Sequence, residues 1–175
     1  LHTTSQIVLA GPMGSGRREI AREMTKHGYQ ICPMHTSEPP QPNRIPMRDS
    51  VDHTKEEFMG LVRGDEMPYW TMDERGNCYG YTKEQLSAPK TVMYTSPTMA
   101  LKMKDTMPHI RIIYIHNNQT PEQHEMKLTS RKGITPRQAK AACKYSYHQK
   151  QKASQFDAVL PVEDDDYESA TDILV

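Results

Sequence analysis

The chain has few large aromatic anchors. Its 175 residues include 2 Phe and 1 Trp, against 9 Tyr. Any aromatic contact with a partner must therefore come from Trp70 or the tyrosines. Cysteine is scarce as well, with 3 residues at Cys32, Cys78 and Cys143. Their odd number and wide spacing exclude a disulfide framework and a paired-Cys metal motif, and favour a reducing compartment. No apolar run approaches the roughly 20 residues that span a bilayer, and no signal peptide is visible. Net charge is also missing, because 22 Lys and Arg balance 22 Asp and Glu. A broad field for nucleic acid or a membrane surface is thereby excluded. What is present is a low apolar share of 35% with 13 Pro and 12 Met, which fits a polar surface and loop-rich parts. The length suits one domain with a real core. The first residue is Leu rather than Met, so the chain is expected to be a piece of something longer.

The stretch Gln6 to Arg22, Q-I-V-L-A-G-P-M-G-S-G-R-R-E-I-A-R, organises the rest. Ile7, Val8 and Leu9 form one buried strand, Gly11, Gly14 and Gly16 follow, and Arg17 to Lys26 reads as a helix. Strand, glycine loop and helix make the context of a phosphate-binding loop. Glycines let backbone N–H groups curl around an anion, and the helix N-terminus adds partial positive charge. Ser15 lies within this loop. The cation and hydroxyl that should follow Gly16 are replaced by Arg17 and Arg18. Arg17 keeps a lysine's charge on a bulkier, differently aimed fork. Arg18 puts a cation where a Ser or Thr hydroxyl should bind magnesium. The competing reading is a plain strand-to-helix turn that binds nothing.

Further along, Tyr29 to Cys32 reads as a short strand. Residues 33–52 are proline-rich and read as an extended surface excursion of the kind that makes binding loops. Thr54 caps a helix, with Glu57 at capping-box spacing, Phe58, Leu61 and Val62 on one face, and Gly64 ending it. Met67 to Asp73 and Cys78 to Tyr81 form a hairpin. Thr82 starts a short helix, Thr91 to Thr95 is a strand, and Pro97 opens a helix in which Met99, Met103 and Met107 pack into the core. Arg111 to His116 fits a central parallel strand. Pro121 opens a helix to Ser130, and Arg131, Lys132 and Gly133 form a basic elbow. A long helix from Thr135-Pro136, a strand from Ala158 to Val162 and a helix from Asp164 to Leu174 complete the chain. This alternation predicts an α/β fold, with a central parallel sheet flanked by helices on both sides and the glycine loop at the strands' carboxyl ends.

Four pieces, taken in order, resemble the guanylate kinase family over nearly the whole chain. G-P-M-G-S-G-R-R at 11–18 is similar to its phosphate loop, and H-T-S-E-P-P-Q-P at 35–42 to its H-T-T-R-P-P-R-P. G-N-C-Y-G at 76–80 is similar to its G-N-x-Y-G, and F-D-A-V-L-P-V-E-D-D at 156–165 to its ending F-D-x-V-I-V-N-D-D. The resemblance implies a three-layer P-loop fold with a core of residues 1–33 and 88–175, a small β-rich monophosphate-binding lobe at 34–87 and a helical lid at about 127–145. Family enzymes move the γ-phosphate of ATP to GMP with magnesium.

The departures from the family read as lost chemistry. Its two arginines that grip the GMP phosphate are Glu38 and Gln41 here, and a carboxylate repels a dianion. Of its two gripping tyrosines, one position holds Ser50 and Tyr79 matches the other. The first guanine-reading carboxylate is replaced by Tyr69, and the second falls within Thr95-Ser96-Pro97. The neighbouring serine is replaced by Tyr81. Of the lid arginines, Arg131 matches. Lys127 and Lys144 keep charge at other positions, and Lys132 and Arg137 add charge nearby. Arg44 and Arg48 are the cations near enough in sequence to compensate for the lost grip. Phosphoryl transfer rests on positioning and charge compensation, and both are depleted. The pattern resembles the inactive guanylate-kinase-like domains of membrane-associated scaffolds, and also the kinase domain joined to leucine-rich repeats.

Three functions compete at this stage. One is a non-catalytic module binding a protein or peptide through the excursion and hairpin, with Tyr69, Trp70, Tyr79 and Tyr81 partly exposed and little dependence on phosphate. Another is a nucleoside monophosphate kinase with altered base choice, for which Arg131 would be the catalytic cation. The last is an ATP-binding regulator that does not transfer. No cofactor is expected to be required; ATP is the nucleotide the loop could hold, and magnesium has lost its hydroxyl. No metal site is expected, since His35 with His53 lacks supporting ligands and Asp164 to Asp166 lacks a calcium loop's alternation. The expected setting is cytoplasmic, including membrane- or cytoskeleton-associated assemblies, without nucleic acid or direct membrane insertion.

Overall fold

Strand β1 (Gln6–Ala10) is buried along its whole length, with Val8 and Leu9 fully enclosed. Each such aliphatic side chain contributes about 1.5–3 kcal/mol relative to an exposed one. The computed structural model describes residues 6–40, 42, 50–107, 109–131, 133–150 and 153–175. Within them, β1 is followed by α1 (Arg17–Thr25), β2 (Gln30–Ile31), β3 (Met34–Thr36), β4 (Ser50–Asp52), α2 (Lys55–Arg63), β5 (Tyr69–Met72), β6 (Cys78–Tyr81) and α3 (Lys83–Ser87). The chain continues through β7 (Thr91–Thr95), α4 (Pro97–Thr106), β8 (Arg111–Asn117), α5 (Pro121–Thr129), α6 (Pro136–Lys150), β9 (Ala158–Val162) and α7 (Tyr167–Leu174).

The strands form a five-stranded sheet in the order β2-β7-β1-β8-β9 and a four-stranded sheet in the order β4-β3-β6-β5. All pairings in the larger sheet are parallel. Alternation along β1 sorts the core into two layers. Ile7 and Leu9 face Ile20, Ala21 and Met24 of α1 and Ala170 of α7. Val8 and Ala10 face Ala100 and Met103 of α4, together with Met107 beyond it. The predicted α/β architecture with helices on both sides is thus present. The Ile-rich β8 is interior rather than central, and β1 takes the middle because it pairs with both β7 and β8.

The smaller sheet takes in both ends of the extended excursion at residues 33–52. Met34–Thr36 and Ser50–Asp52 pair in parallel, and His35 and Thr36 pair antiparallel with Gly80 and Tyr79. Tyr69 and Tyr81 are also corrected. They are 5% and 1% exposed and belong to the same core cluster as Val8 and Met93. The second sheet sends these rings inward, against the main one. Trp70 stays half-buried, edge-on to Phe58 at 6.4 Å between ring centroids.

Caps agree with the sequence in most places. Thr54, Thr82, Ser96 and Thr120 each accept a backbone N–H in the first turn of their helices. Glu57 does not close the expected capping box; its carboxylate faces His53 Nδ1 at 3.7 Å instead. Gly64 ends α2 with φ −79, and it is Asp65 that turns left-handed at φ 56. The last helix starts at Tyr167 rather than Asp164, because Asp164 and Asp165 hold left-handed φ of 51 and 53. Asp166 then caps α7 by accepting from Ser169 N at 3.1 Å.

His35 Nδ1 lies 2.7 Å from His53 Nε2 with the rings stacked. One nitrogen must donate and the other accept, so the pair cannot carry two full charges without breaking this bond. Burial, and then the His53 charge, push His35 down from 6.5 to about 4. A depressed folded value means that the unfolded chain takes up a proton first as pH falls. This increment of stability is therefore complete above pH 6.5 and is lost between 6.5 and about 4. Melting temperature followed over that window should fall in the parent chain and fall less steeply in His35→Gln.

Candidate functional site

Gly11 follows β1, and its N–H donates to Thr95 O at 3.4 Å. The loop can turn here because Gly14 and Gly16 take φ of 83 and 99, a region that side chains with a Cβ rarely enter. Gly16 then serves as the N-cap residue of α1 with no side-chain cap, so the first-turn N–H groups stay available to an anion. Two side chains outside the loop hold its shape. His124 of α5 lies 2.6 Å from Met13 O through Nε2, which must carry the proton because a carbonyl only accepts. Asn117, the last residue of β8, donates to Ser15 O at 3.4 Å. Ser15 itself is 2% exposed, and its hydroxyl has no partner among the described residues.

A recess of about 50 Å³ opens on the loop, lined by Gly14, Gly16, Arg17, Arg18, Glu19, Tyr94 and Arg131. By the same measure one water needs roughly 10–15 Å³, so the space suits a small oxyanion. Burial pushes the Arg17 guanidinium down from 12.5 to about 10, with Arg131 and Arg18 adding repulsion. It still carries full charge at neutral pH. The structure thus brings Gly14, Gly16, Arg17, Arg18 and Arg131 to one place. Arg18 follows Arg17 in the first turn of α1, and a guanidinium does not coordinate a metal.

Among the described residues, Lys127, Arg137 and Lys144 do not line the recess. Lys127 donates to Asp165 Oδ1 at 2.8 Å and to Tyr167 Oη at 3.0 Å. Arg137 and Lys144 are exposed on α6, and Lys132 lies outside the described residues.

Around Tyr79 the described charges are acidic. Tyr79 Oη donates to Asp73 Oδ2 at 3.0 Å. Burial, then the Glu38 charge and this hydrogen bond, raise the Tyr79 phenol far above its ordinary range. Asp73 also accepts from Arg75 N at 2.9 Å and Asn77 N at 2.8 Å. Ser50 is buried and donates to Asp52 Oδ1 at 3.0 Å. Gln41, Arg44 and Arg48 lie outside the described residues.

At the base-reading positions the groups are spent on structure. Tyr69, pushed up to about 12 by burial, has its hydroxyl 3.0 Å from Met99 Sδ. Ser96 caps α4, with Met99 N donating to its Oγ at 3.2 Å. Tyr81 is raised by burial and sits near enough to Arg17 to feel its charge. Cys32, pushed up to about 11 by burial, is no nucleophile at neutral pH. Among the described residues no group of three or more His, Cys, Asp or Glu could hold a metal.

A larger cavity of about 180 Å³ lies between the loop, the end of β8 and the start of α5, with Ser15, Asn117, Gln119, Thr120, His124 and Cys143 in its wall. Sequence reasoning did not find Tyr94, Asn117, His124 or Tyr167. The only signal available was position: Tyr94, Asn117 and Tyr167 stand at or just beyond the carboxyl ends of β7, β8 and β9.

A Cβ built on Gly16 would collide with Tyr167 Cε1 and lie 3.1 Å from Cδ1 and Cζ. Gly16→Ala should therefore lower stability by about 1–3 kcal/mol through backbone strain and this clash. Urea midpoints of Gly16→Ala and of Gly16→Ala with Tyr167→Ala would separate the two parts. The double variant should recover the clash and keep the strain.

No family model and no curated protein matches the sequence. Solved structures do match the fold. A guanylate kinase from Anaplasma phagocytophilum superposes with TM-score 0.68 at 17% identity, covering 99% of this chain and 83% of that one. A shikimate kinase from Bacteroides thetaiotaomicron superposes with TM-score 0.56 at 12% identity, covering 98% and 96%. The chain therefore has a guanylate kinase-like P-loop fold.

Proposed function

We propose that the chain is a non-catalytic guanylate-kinase-like module that binds a protein or peptide instead of transferring phosphate. The observation that carries this reading is the Tyr79–Asp73 hydrogen bond at 3.0 Å with Glu38 close by. Tyr79 is the one phosphate-gripping hydroxyl matched to the family, and it is engaged by a carboxylate. A phosphate dianion placed there would meet two negative charges and no free donor from Tyr79. Arg18 in the metal-hydroxyl position and Tyr69 turned into the core support the same conclusion. In this reading residues 1–33 and 88–175 act as the core, 34–87 as the partner-binding lobe and about 127–145 as an idle lid. An acidic, phenol-bearing face suits a peptide with Lys or Arg side chains, so phosphorylation of the partner should not help. As such a module it would work in cytoplasmic assemblies.

A second reading is favoured by the recess itself. Arg17, Arg18 and Arg131 converge on one small anion-sized space, which supports an ATP-binding regulator that holds phosphates without magnesium.

Calorimetric titration with GMP and with ATP, each with magnesium and with EDTA, is the direct test. GMP should give no saturable heat. ATP, where it binds, should bind equally well in EDTA and weaken on the order of ten-fold in Arg17→Ala, the scale of one lost charged contact. A coupled phosphotransfer assay with nucleoside monophosphates should show no turnover, and turnover with any of them would overturn the proposal.

A further inference from the structure

The cluster above Gly16 is tied more tightly than packing requires. Asp165 Oδ1 accepts from Lys127 at 2.8 Å, from Tyr167 Oη at 2.9 Å and from Asn117 Nδ2 at 3.2 Å. Lys127 Nζ also donates to Tyr167 Oη at 3.0 Å and lies 5.8 Å from the centroid of that ring. Asn117 carries the connection on to Ser15 O at 3.4 Å. Four parts of the chain therefore meet here: the end of β8, the lid helix α5, the turn before α7 and the glycine loop.

The turn that delivers Asp165 is strained. Asp164 and Asp165 hold consecutive left-handed φ of 51 and 53. A residue with a Cβ pays for that conformation, and it persists where surrounding contacts over-determine it. Those contacts are the three hydrogen bonds to Asp165. Lys127 lies in the last turn of α5 and Arg131 just beyond the helix end. Arg131 reaches the recess, and Lys127 is drawn to Asp165. The ring of Tyr167 meanwhile lies directly on the α-carbon of Gly16.

We infer that Asp165 and Tyr167 form a clasp that withholds Lys127 from the glycine loop and covers Gly16, so that these two residues set how tightly the loop holds an anion. The inference rests on the non-transferring reading of the site and adds to it a specific autoinhibitory contact. The ligand is defined by chemistry: a small oxyanion of the phosphate or pyrophosphate class, met by Arg17, Arg18 and Arg131. With the clasp closed these three guanidinium groups act without the lysine. With it open, Lys127 adds a fourth cation and the loop loses its aromatic cover.

The Lys127–Asp165 pair carries a balance of charge that makes this reversible. Hydrogen bonding from Lys127 holds the Asp165 carboxyl below its ordinary value. Burial works against the Lys127 charge, yet the bonds to Asp165 and Tyr167 raise it. Removing the carboxylate leaves the half-buried Lys127 ammonium without its ion-pair partner.

Inorganic pyrophosphate in EDTA is the probe, titrated calorimetrically at low salt into the full chain. Asp165→Asn, which keeps the side-chain shape, should tighten binding on the order of ten-fold. Tyr167→Phe should tighten it less, because it frees one bond and keeps the cover. Adding Lys127→Ala to Asp165→Asn should abolish that gain. The slope of affinity against salt should steepen in Asp165→Asn by about one phosphate contact's worth. Equal affinity in parent and Asp165→Asn, with urea midpoints showing both folded, would overturn the clasp. So would a gain in Asp165→Asn that survives the added Lys127→Ala. Phosphotransfer by the parent chain would instead sink the non-transferring reading, and it is read in a separate assay.

Discussion

Strand β1 lies between β7 and β8 and is enclosed by α1 and α7 on one face and α4 on the other. Everything the site does depends on where this strand stops. Parallel pairing places the ends of β1, β7 and β8 on one edge, with Ala10 opposite Thr95 and Tyr114. A buried strand has no freedom to slip, since a shift by one residue would exchange its two core faces. The glycine loop therefore leaves the sheet at a fixed point, and Tyr94, Asn117 and Tyr167 are brought beside it by their own strands.

On that frame the charges divide into two fields of opposite sign. Arg17, Arg18 and Arg131 surround the loop, while Glu38 and Asp73 surround Tyr79. Phosphoryl transfer between two nucleotides needs positive compensation at both ends and along the line between them. Among the described residues, Arg17, Arg18 and Arg131 supply it at the loop. Lys127 is held by Asp165.

Much of the fold was legible from local rules. Cys78–Tyr81, Thr91–Thr95 and Ala158–Val162 stand as strands at the bounds their alternation and flanking turns suggest. Thr54 and Thr82 cap where a hydroxyl precedes a helical run. What escaped is what local rules cannot see. Strands β3 and β4 have three residues each and exist because Met34 pairs with Ser50 across a long insertion. Tyr69 and Tyr81 look like surface anchors on a hairpin, and become core once the second sheet lies against the first. The left-handed Asp164 and Asp165 give no signal in a run of acids, since Lys127 and Asn117, which hold Asp165, come from distant elements.

The sequence alone determined the charges: a glycine loop followed by two arginines, and a glutamate at position 38. These are covalent facts, and their sign survives any folding. The tertiary structure decided which charges face a ligand and which face each other. Arg131 and Lys127 lie four residues apart with the same sign; one lines the recess and the other is neutralised by Asp165, because a carboxylate delivered by a distant strand lies within hydrogen-bonding distance of only the second.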